Sequence, residues 1–139
     1  MVALLSLTGL PYVFSLLLAK VWSHQESPAN KRQVEPTVSI VLPTYNEERI
    51  VENKLRDIVS LDYPMAKIEV VVVDSSDDDT RAVVREFFAD RDAPSLTLLE
   101  EEQRRGLASA LNDAYAAASS EMVVKTDCDS KLASDALRE

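Results

Sequence analysis

The run IEVVVV at residues 68–73 constrains the fold more than any other feature of the sequence. Its isoleucine and valines are β-branched and favour extended backbone. A short, nearly continuous apolar run of this kind is typical of a strand that is covered on both faces. Such strands lie in parallel sheets with helices packed on each side. The run therefore predicts an α/β domain with a buried parallel strand.

Strands and helices alternate along the body of the chain. Strands are predicted at 38–42, 68–73, 96–99 and 121–125. Apolar residues at helical spacing predict helices at 47–60, 80–91 and 107–118. This order implies a parallel sheet with right-handed crossovers. Because ligands bind at the carboxyl ends of such strands, the loops after Leu42, Val73 and Lys125 are the candidate site.

The first 22 residues form a separate, apolar segment whose first charged side chain is Lys20. About 20 apolar residues can cross a bilayer as a helix, so residues 1–22 are predicted to be a single transmembrane helix. A cleaved signal peptide is disfavoured, since no basic residue precedes the run; a buried soluble helix is the other alternative. Basic residues after the span would leave the body cytoplasmic. Residues 23–37, polar and with two prolines, are expected to be a linker.

Composition excludes several kinds of function. The formal charge is −9, and all 24 acidic residues lie after residue 25. A chain without a basic footprint is not expected to bind nucleic acid. The single cysteine excludes an internal disulfide framework and a Cys₄ zinc site.

The first candidate loop, residues 43–47 (PTYNE), follows the first predicted strand. Pro43 is expected to end strand pairing, and Asn46 to cap the following helix. The loop also presents a hydroxyl, an aromatic ring and a carboxylate, from Thr44, Tyr45 and Glu47.

The second candidate loop, residues 74–80 (DSSDDDT), is rich in acids. The acids at 77–79 precede a helix, where they complement the positive end of its dipole. Asp74 is different, because it directly ends the most buried strand. Its carboxylate is placed to accept hydrogen bonds from a base or a sugar.

The third candidate loop carries Asp127 and Asp129 after the last predicted strand. Two carboxylates two residues apart can converge on a hard cation such as Mg²⁺ or Mn²⁺, which fills its other positions with water and substrate phosphates. Cys128 between them is interpreted as a small packing residue.

Five segments occur together and in order: VSIVLPTYNEE at 38–48, LDYP at 61–64, IEVVVVDSSDDDT at 68–80, RGLASALN at 105–112 and TDCD at 126–129. In this combination the chain resembles the family 2 glycosyltransferases of the GT-A fold, a Rossmann-like parallel-sheet domain of nucleotide-diphospho-sugar transferases. The LDYP segment after an apolar span is similar to the membrane-embedded branch related to cellulose and hyaluronan synthases.

The resemblance implies a role for each matching residue. The implied nucleotide-binding residues are Pro43, Thr44, Tyr45, Glu47, Asp74, Gly106, Asn112 and Asp127. Within this set Asp74 would contact the base, usually uracil, and Gly106 and Asn112 would lie beside the diphosphate and sugar. Asp127 and Asp129 would hold a divalent Mg²⁺ or Mn²⁺ that stabilises the departing diphosphate while an acceptor hydroxyl attacks. The implied donor is a nucleotide-diphospho-sugar, UDP-sugar first.

The chain departs from the family pattern at two positions. Val73 stands where many members have an acid, and Leu107 stands where many have lysine. Arg104 and Arg105 are the candidates to compensate at the diphosphate.

The family's acceptor-binding half and its acidic general base follow the segment that matches here. Residues 38–139 are therefore expected to be the donor-binding part of a truncated or split domain, with a separate C-terminal half as a partner. No catalytic base is assigned within the chain.

Two other functions stay open. One is a non-catalytic, membrane-tethered nucleotide-binding domain. The other is a phosphatase of the haloacid dehalogenase type, in which the first Asp of a strand-Asp-x-Asp motif is the nucleophile. That family expects Thr or Val where this chain has Lys131, and its motif usually opens the fold.

Overall fold

The structure, a computed structural model, describes Ser15, residues 35–89 and residues 94–138. The chain divides into two compact units, residues 1–32 and 33–139, and the sheet and helices below belong to the second. Within the described residues, no helix combines the length and the apolar character that a bilayer crossing needs. The span predicted at 1–22 lies outside the described residues, apart from Ser15.

The second unit is a four-stranded sheet flanked by helices. Its strands are β1 (Val38–Thr44), β2 (Ile68–Asp74), β3 (Ser95–Glu100) and β4 (Met122–Lys125). Its helices are α1 (Val51–Val59), α2 (Thr80–Ala89) and α3 (Leu107–Ala117), with a 3₁₀ turn at Met65–Lys67. All strand pairs are parallel, in the order β3-β2-β1-β4. The predicted parallel α/β sheet is confirmed.

The side chains of β2 explain why its sequence is so apolar. Val70 and Val72 face a core shared with α1 and α2, whereas Val71 and Val73 face a second core shared with Ala110 and Ala114 of α3. Every valine of the strand is buried, because helices cover both faces of the sheet.

Two details of the first loop were predicted wrongly. Strand β1 does not end at Leu42 but continues through Pro43, which lies opposite Val73 in the register. Asn46 does not cap α1, which begins only at Val51. Instead Asn46 has a positive φ of 55°, a conformation that asparagine tolerates better than most residues. Its Oδ1 accepts the Asp77 amide at 3.1 Å, so its side chain joins two loops.

The winding of the sheet reverses between β1 and β4. Helices α1 and α2 lie on one face and α3 lies on the other, and the strand that follows α3 pairs with β1 on the side away from β2. Such a reversal opens a crevice at the carboxyl ends of the two strands. The loops that follow β1 and β4 therefore flank the crevice.

Candidate functional site

A cleft lies at the carboxyl ends of the strands. Six of the predicted nucleotide-binding residues line it: Pro43, Thr44, Tyr45, Glu47, Gly106 and Asp127. The lining also includes Ser75, Glu101 and Arg104. The other two predicted residues do not line it: Asp74 lies fully buried, and Asn112 lies exposed on α3. The structure thus brings most of the predicted set together.

The Asp74 carboxylate is enclosed by hydrogen-bond donors. Its Oδ1 accepts the Ser76 amide at 2.9 Å and the Arg81 Nε–H at 2.6 Å. Its Oδ2 accepts the hydroxyls of Thr44 and Ser76, each at 2.6 Å. A carboxylate offers about four acceptor positions, and these donors fill them. In this arrangement Asp74 joins the loops after β1 and β2 and does not face the cleft.

Further hydrogen bonds hold the same two loops together. The Asn46 amide donates to the Ser76 hydroxyl at 2.8 Å, and the Glu47 amide donates to the Thr80 hydroxyl at 2.9 Å. Asp78 accepts the Thr80 amide at 2.9 Å at the start of α2. Burial raises the pKa of Asp78, but hydrogen bonds from Thr80 and from main-chain amides outweigh it, so the pKa lies below 3.8. Of the three acids at 77–79 that were predicted to favour the start of a helix, Asp78 binds a main-chain amide at the start of α2.

Three carboxylates gather where the crevice opens, those of Glu47, Asp127 and Asp129. Burial is the largest cause of a raised pKa at Glu47. A hydrogen bond with the Cys128 thiol opposes this effect, and the charges of Asp129 and Asp127 add to it. The Oε2 atom of Glu47 is buried without a hydrogen-bond partner among the described residues. The group therefore concentrates negative charge where the crevice opens, and Lys125, which pairs with Asp127, offsets only part of it.

The acidic group suits a divalent cation that also binds phosphate. Within residues 35–89 and 94–138, no three His, Cys, Asp or Glu side chains are grouped closely enough to bind a metal unaided. Mg²⁺ and similar ions need only one or two protein carboxylates when substrate phosphates complete the shell. Lys125 forms an ion pair with Asp127, whereas Asp129 has no ion pair in the described part of the chain. The orphaned oxygen of Glu47 and the free carboxylate of Asp129 fit such an ion.

The two candidate arginines have different surroundings. Arg105 is held by Glu101, at 2.7 Å, and by Asp113. Arg104 forms no ion pair with any described residue; its guanidinium carbon lies 4.1 Å from the centroid of the Tyr45 ring. A cation over an aromatic face is stabilised by the ring quadrupole. Arg104 is thus the cation left free at the cleft, a distinction that sequence alone does not make.

Helix α3 begins at the cleft after Gly106. Gly106 has φ 93° and ψ 160°, a region that is essentially restricted to glycine. The first N–H groups of a helix have no partner within the helix and favour an anion. Leu107, where many family members have lysine, is 56% exposed and adds no charge. An anion at this helix end would depend on main-chain groups and Arg104.

Comparison with known proteins identifies the family of the chain. The profile of Glycosyl transferase family 2 matches residues 39–139. Poly-beta-1,6-N-acetyl-D-glucosamine synthase of Staphylococcus epidermidis is 36% identical over 105 residues, which are 76% of this chain and 24% of that protein. The chain thus spans about a quarter of the length of this curated relative.

Solved structures give the same result. The mannosyltransferase PcManGT of Pyrobaculum calidifontis, in complex with GDP-Man and Mn²⁺, is 40% identical with a TM-score of 0.71, covering 96% of this chain and 40% of that one. S. aureus TarS 1–349 in complex with UDP-GlcNAc is 30% identical with a TM-score of 0.67, covering 73% of this chain and 29% of that one.

These relatives do not favour the phosphatase hypothesis, and the Asp-x-Asp motif follows the fourth strand of the sheet and not the first. The sheet supports the GT-A fold, and the family profile covers nearly all of the folded body. The chain belongs to glycosyl transferase family 2.

Proposed function

We propose that residues 38–139 bind the nucleoside-diphosphate part of a sugar donor, and that the whole protein transfers the sugar to an acceptor hydroxyl. The observation that carries the proposal is the cleft at the crevice between β1 and β4. It combines an aromatic ring with a free guanidinium at Tyr45 and Arg104, a helix start at Gly106, and the carboxylate of Asp127.

Each part of the cleft matches a part of the donor. The ring of Tyr45 offers a surface for the base, and Arg104 and the first amides of α3 face the diphosphate. Asp127 and Asp129 would hold Mg²⁺ or Mn²⁺, and a bound metal would neutralise charge on the departing diphosphate. Asp74 contributes through the loop that it holds, because its acceptor positions are filled.

The identity of the base is part of the proposal. Among structural relatives, PcManGT binds GDP-Man and TarS binds UDP-GlcNAc, so the fold accepts either nucleotide. We place UDP-sugar first, in keeping with the motifs around residues 38–48 and 68–80. Side-by-side titration of UDP and GDP decides between them.

The donor site is tested by calorimetry on the 139-residue chain. UDP is titrated in the presence of MnCl₂ and again in EDTA, for the unchanged chain and for Asp129→Asn. We expect Mn²⁺ to tighten binding at least about tenfold, and Asp129→Asn to remove most of that gain, since a metal ligand is lost. Asp135→Asn, an exposed acid in the same segment, is the matched control. Equal binding in MnCl₂ and EDTA would contradict the proposal.

We also propose that residues 1–22 hold the donor-binding body at the cytoplasmic face of a membrane. The support is the uncharged stretch before Lys20 and the basic residues that follow it. Protease added to sealed spheroplasts should leave the body intact and should digest it only after lysis. Digestion before lysis would show that the body lies on the outer side of the membrane, which would contradict the proposed orientation.

A further inference from the structure

A charged side chain lies inside the core beneath the Asp-x-Asp loop. Lys54 is on α1, and its residue is 2% exposed. It shares the apolar face of the helix with Val51, Leu55 and Ile58. Lys54 lies three residues after Val51 and directly before Leu55. The helical spacing of the apolar residues could therefore have marked Lys54 as buried.

The ammonium group of Lys54 contacts the loop after β4. Its Nζ donates to the main-chain oxygen of Ser130 at 3.0 Å and lies 3.4 Å from the Ser130 hydroxyl. It also lies 3.6 Å from a carboxylate oxygen of Asp57, one turn further along α1. Two of its three oxygen partners thus belong to one loop residue.

Ser130 in turn closes the tight turn that carries both aspartates. Its hydroxyl donates to the main-chain oxygen of Asp127 at 2.8 Å and lies 3.0 Å from the hydroxyl of Thr126. Its amide also donates to the Asp127 oxygen, at 3.3 Å, and its hydroxyl accepts the Asp127 amide at 3.3 Å. A change at Ser130 is therefore transmitted to the backbone on both sides of Cys128.

Helix α1 holds the same loop at a second point. A carboxylate oxygen of Asp57 accepts the Leu132 amide at 2.9 Å. Lys54 and Asp57, one turn apart, therefore fix positions 130 and 132 against the helix. Among the contacts that hold this loop, these two come from α1.

The energetics indicate that the charge at position 54 has a purpose beyond packing. Burying an ammonium group costs several kcal/mol in general, and its partners only partly repay that cost. A leucine or methionine at position 54 would fill the same space without the cost of burying a charge. Ion-binding sites need their ligands held within about half an ångström, and a rigid attachment to a helix supplies that.

We propose that Lys54 is a positioning residue for the divalent-cation site, acting through Ser130 on the turn that presents Asp127 and Asp129. This inference rests on the proposed function, because it presumes that the turn binds a cation. Lys54 itself touches neither metal nor donor. Its loss would leave the two carboxylates in place but less ordered.

The test measures how much Mn²⁺ strengthens UDP binding, as the ratio of affinities in MnCl₂ and in EDTA. Lys54→Met, which keeps the apolar stem, is expected to lower that ratio about tenfold or more, in the range typical of groups that orient metal ligands. Affinity in EDTA should stay unchanged, which separates positioning from general loss of structure. Lys67→Met is the matched control, since Lys67 is anchored to Glu35 and away from this loop.

A second variant keeps the test decisive if Lys54→Met does not fold. Ser130 is exposed, so Ser130→Ala should fold, and it should also lower the ratio. The double variant Lys54→Met/Ser130→Ala should lower the ratio little further than either single variant, because the two residues act in one chain of contacts. A ratio that both variants retain would overturn this inference alone. No effect of Mn²⁺ on the unchanged chain would overturn the proposed function, and this inference with it.

Discussion

The Nε atom of Arg81 lies 2.6 Å from the Oδ1 atom of Asp74, directly beneath the cleft. The carboxylate is fully buried, and the arginine side chain is 27% exposed. The same guanidinium donates to the main-chain oxygen of Glu101 at 3.0 Å. Because Asp74 also binds Thr44, this ion pair joins the loops that follow β1, β2 and β3.

We expect Asp74→Ala to destabilise the fold by about 3–5 kcal/mol, the usual cost of removing one partner from a buried pair. Arg81, Thr44 and Ser76 would each lose an acceptor. Urea denaturation followed by circular dichroism measures the change. Asp77→Ala, an exposed acid in the same loop, should change stability by less than about 0.5 kcal/mol. Equal effects of the two variants would show that Asp74 is not a structural centre.

The difference between the two arginines gives a second prediction. Arg104→Ala should weaken UDP binding about tenfold, since a charge-assisted contact to phosphate is lost. Arg105→Ala should weaken it much less, because Arg105 is held by Glu101 and Asp113. Titration with uridine identifies what Arg104 contacts. If both uridine and UDP binding fall equally in Arg104→Ala, the residue contacts the base and not the diphosphate.

A third prediction concerns the start of α3. No heavy atom lies within 4 Å of the position that a Cβ would take at Gly106, so Gly106→Ala meets no steric clash. Its cost is conformational, about 1–3 kcal/mol, and relief of that strain would move the first amides of α3. UDP affinity should therefore fall along with stability. Ala108→Ser, at an exposed position of the same helix, should leave UDP affinity unchanged.

The sequence predicts those parts of the fold that depend on local pattern. The run at 68–73 indicates its own burial, because only residues covered on both faces can be apolar in succession. A short apolar run before the Asp-x-Asp pair likewise predicts a strand, so the sequence places the pair directly after a strand end. Strand order is not predictable in this way, since pairing of β4 with β1 depends on which side of the sheet α3 crosses.

Contacts between loops are the other part that local pattern misses. Asn46 looks like a helix cap in sequence, yet its side chain accepts the amide of Asp77 in the loop after β2. Asp74 looks exposed at a strand end, yet four donors from three residues enclose it. Helical spacing places Lys54 on the apolar face of α1, yet no local pattern shows that it holds a loop 76 residues away in sequence. The position of each of these three side chains depends on a partner far along the chain, which local pattern does not reveal.

Glu69 performs a joining role at the opposite end of the sheet from the cleft. Its carboxylate accepts the Ser39 hydroxyl at 2.6 Å from β1 and the Thr97 hydroxyl at 3.2 Å from β3. The amide and hydroxyl of Ser119 donate to it at 3.0 Å each. Burial raises the pKa of Glu69, but these hydrogen bonds outweigh it and hold the pKa below 4.5.

The lowered pKa gives stability a defined pH dependence. Below 4.5 the unfolded state binds a proton at Glu69 before the folded state does, so stability falls as the pH falls through the folded pKa. Above 4.5 the contribution of Glu69 is fully present. Glu69→Gln should therefore lose about 1 kcal/mol at pH 7, and its stability should fall less steeply than that of the unchanged chain as the pH is lowered below 4.5.

Urea midpoints across this pH range measure the effect. Glu86→Gln on the exposed side of α2, where Glu86 has no ion pair with a described residue, should keep the original pH profile. The donor cleft plays no part in this prediction, since Glu69 lies at the amino-terminal end of β2. A Glu69→Gln profile that parallels the unchanged chain would mean that the carboxylate is not ionised against these donors. Its hydrogen bonds would then add nothing to the backbone pairing of the three strands.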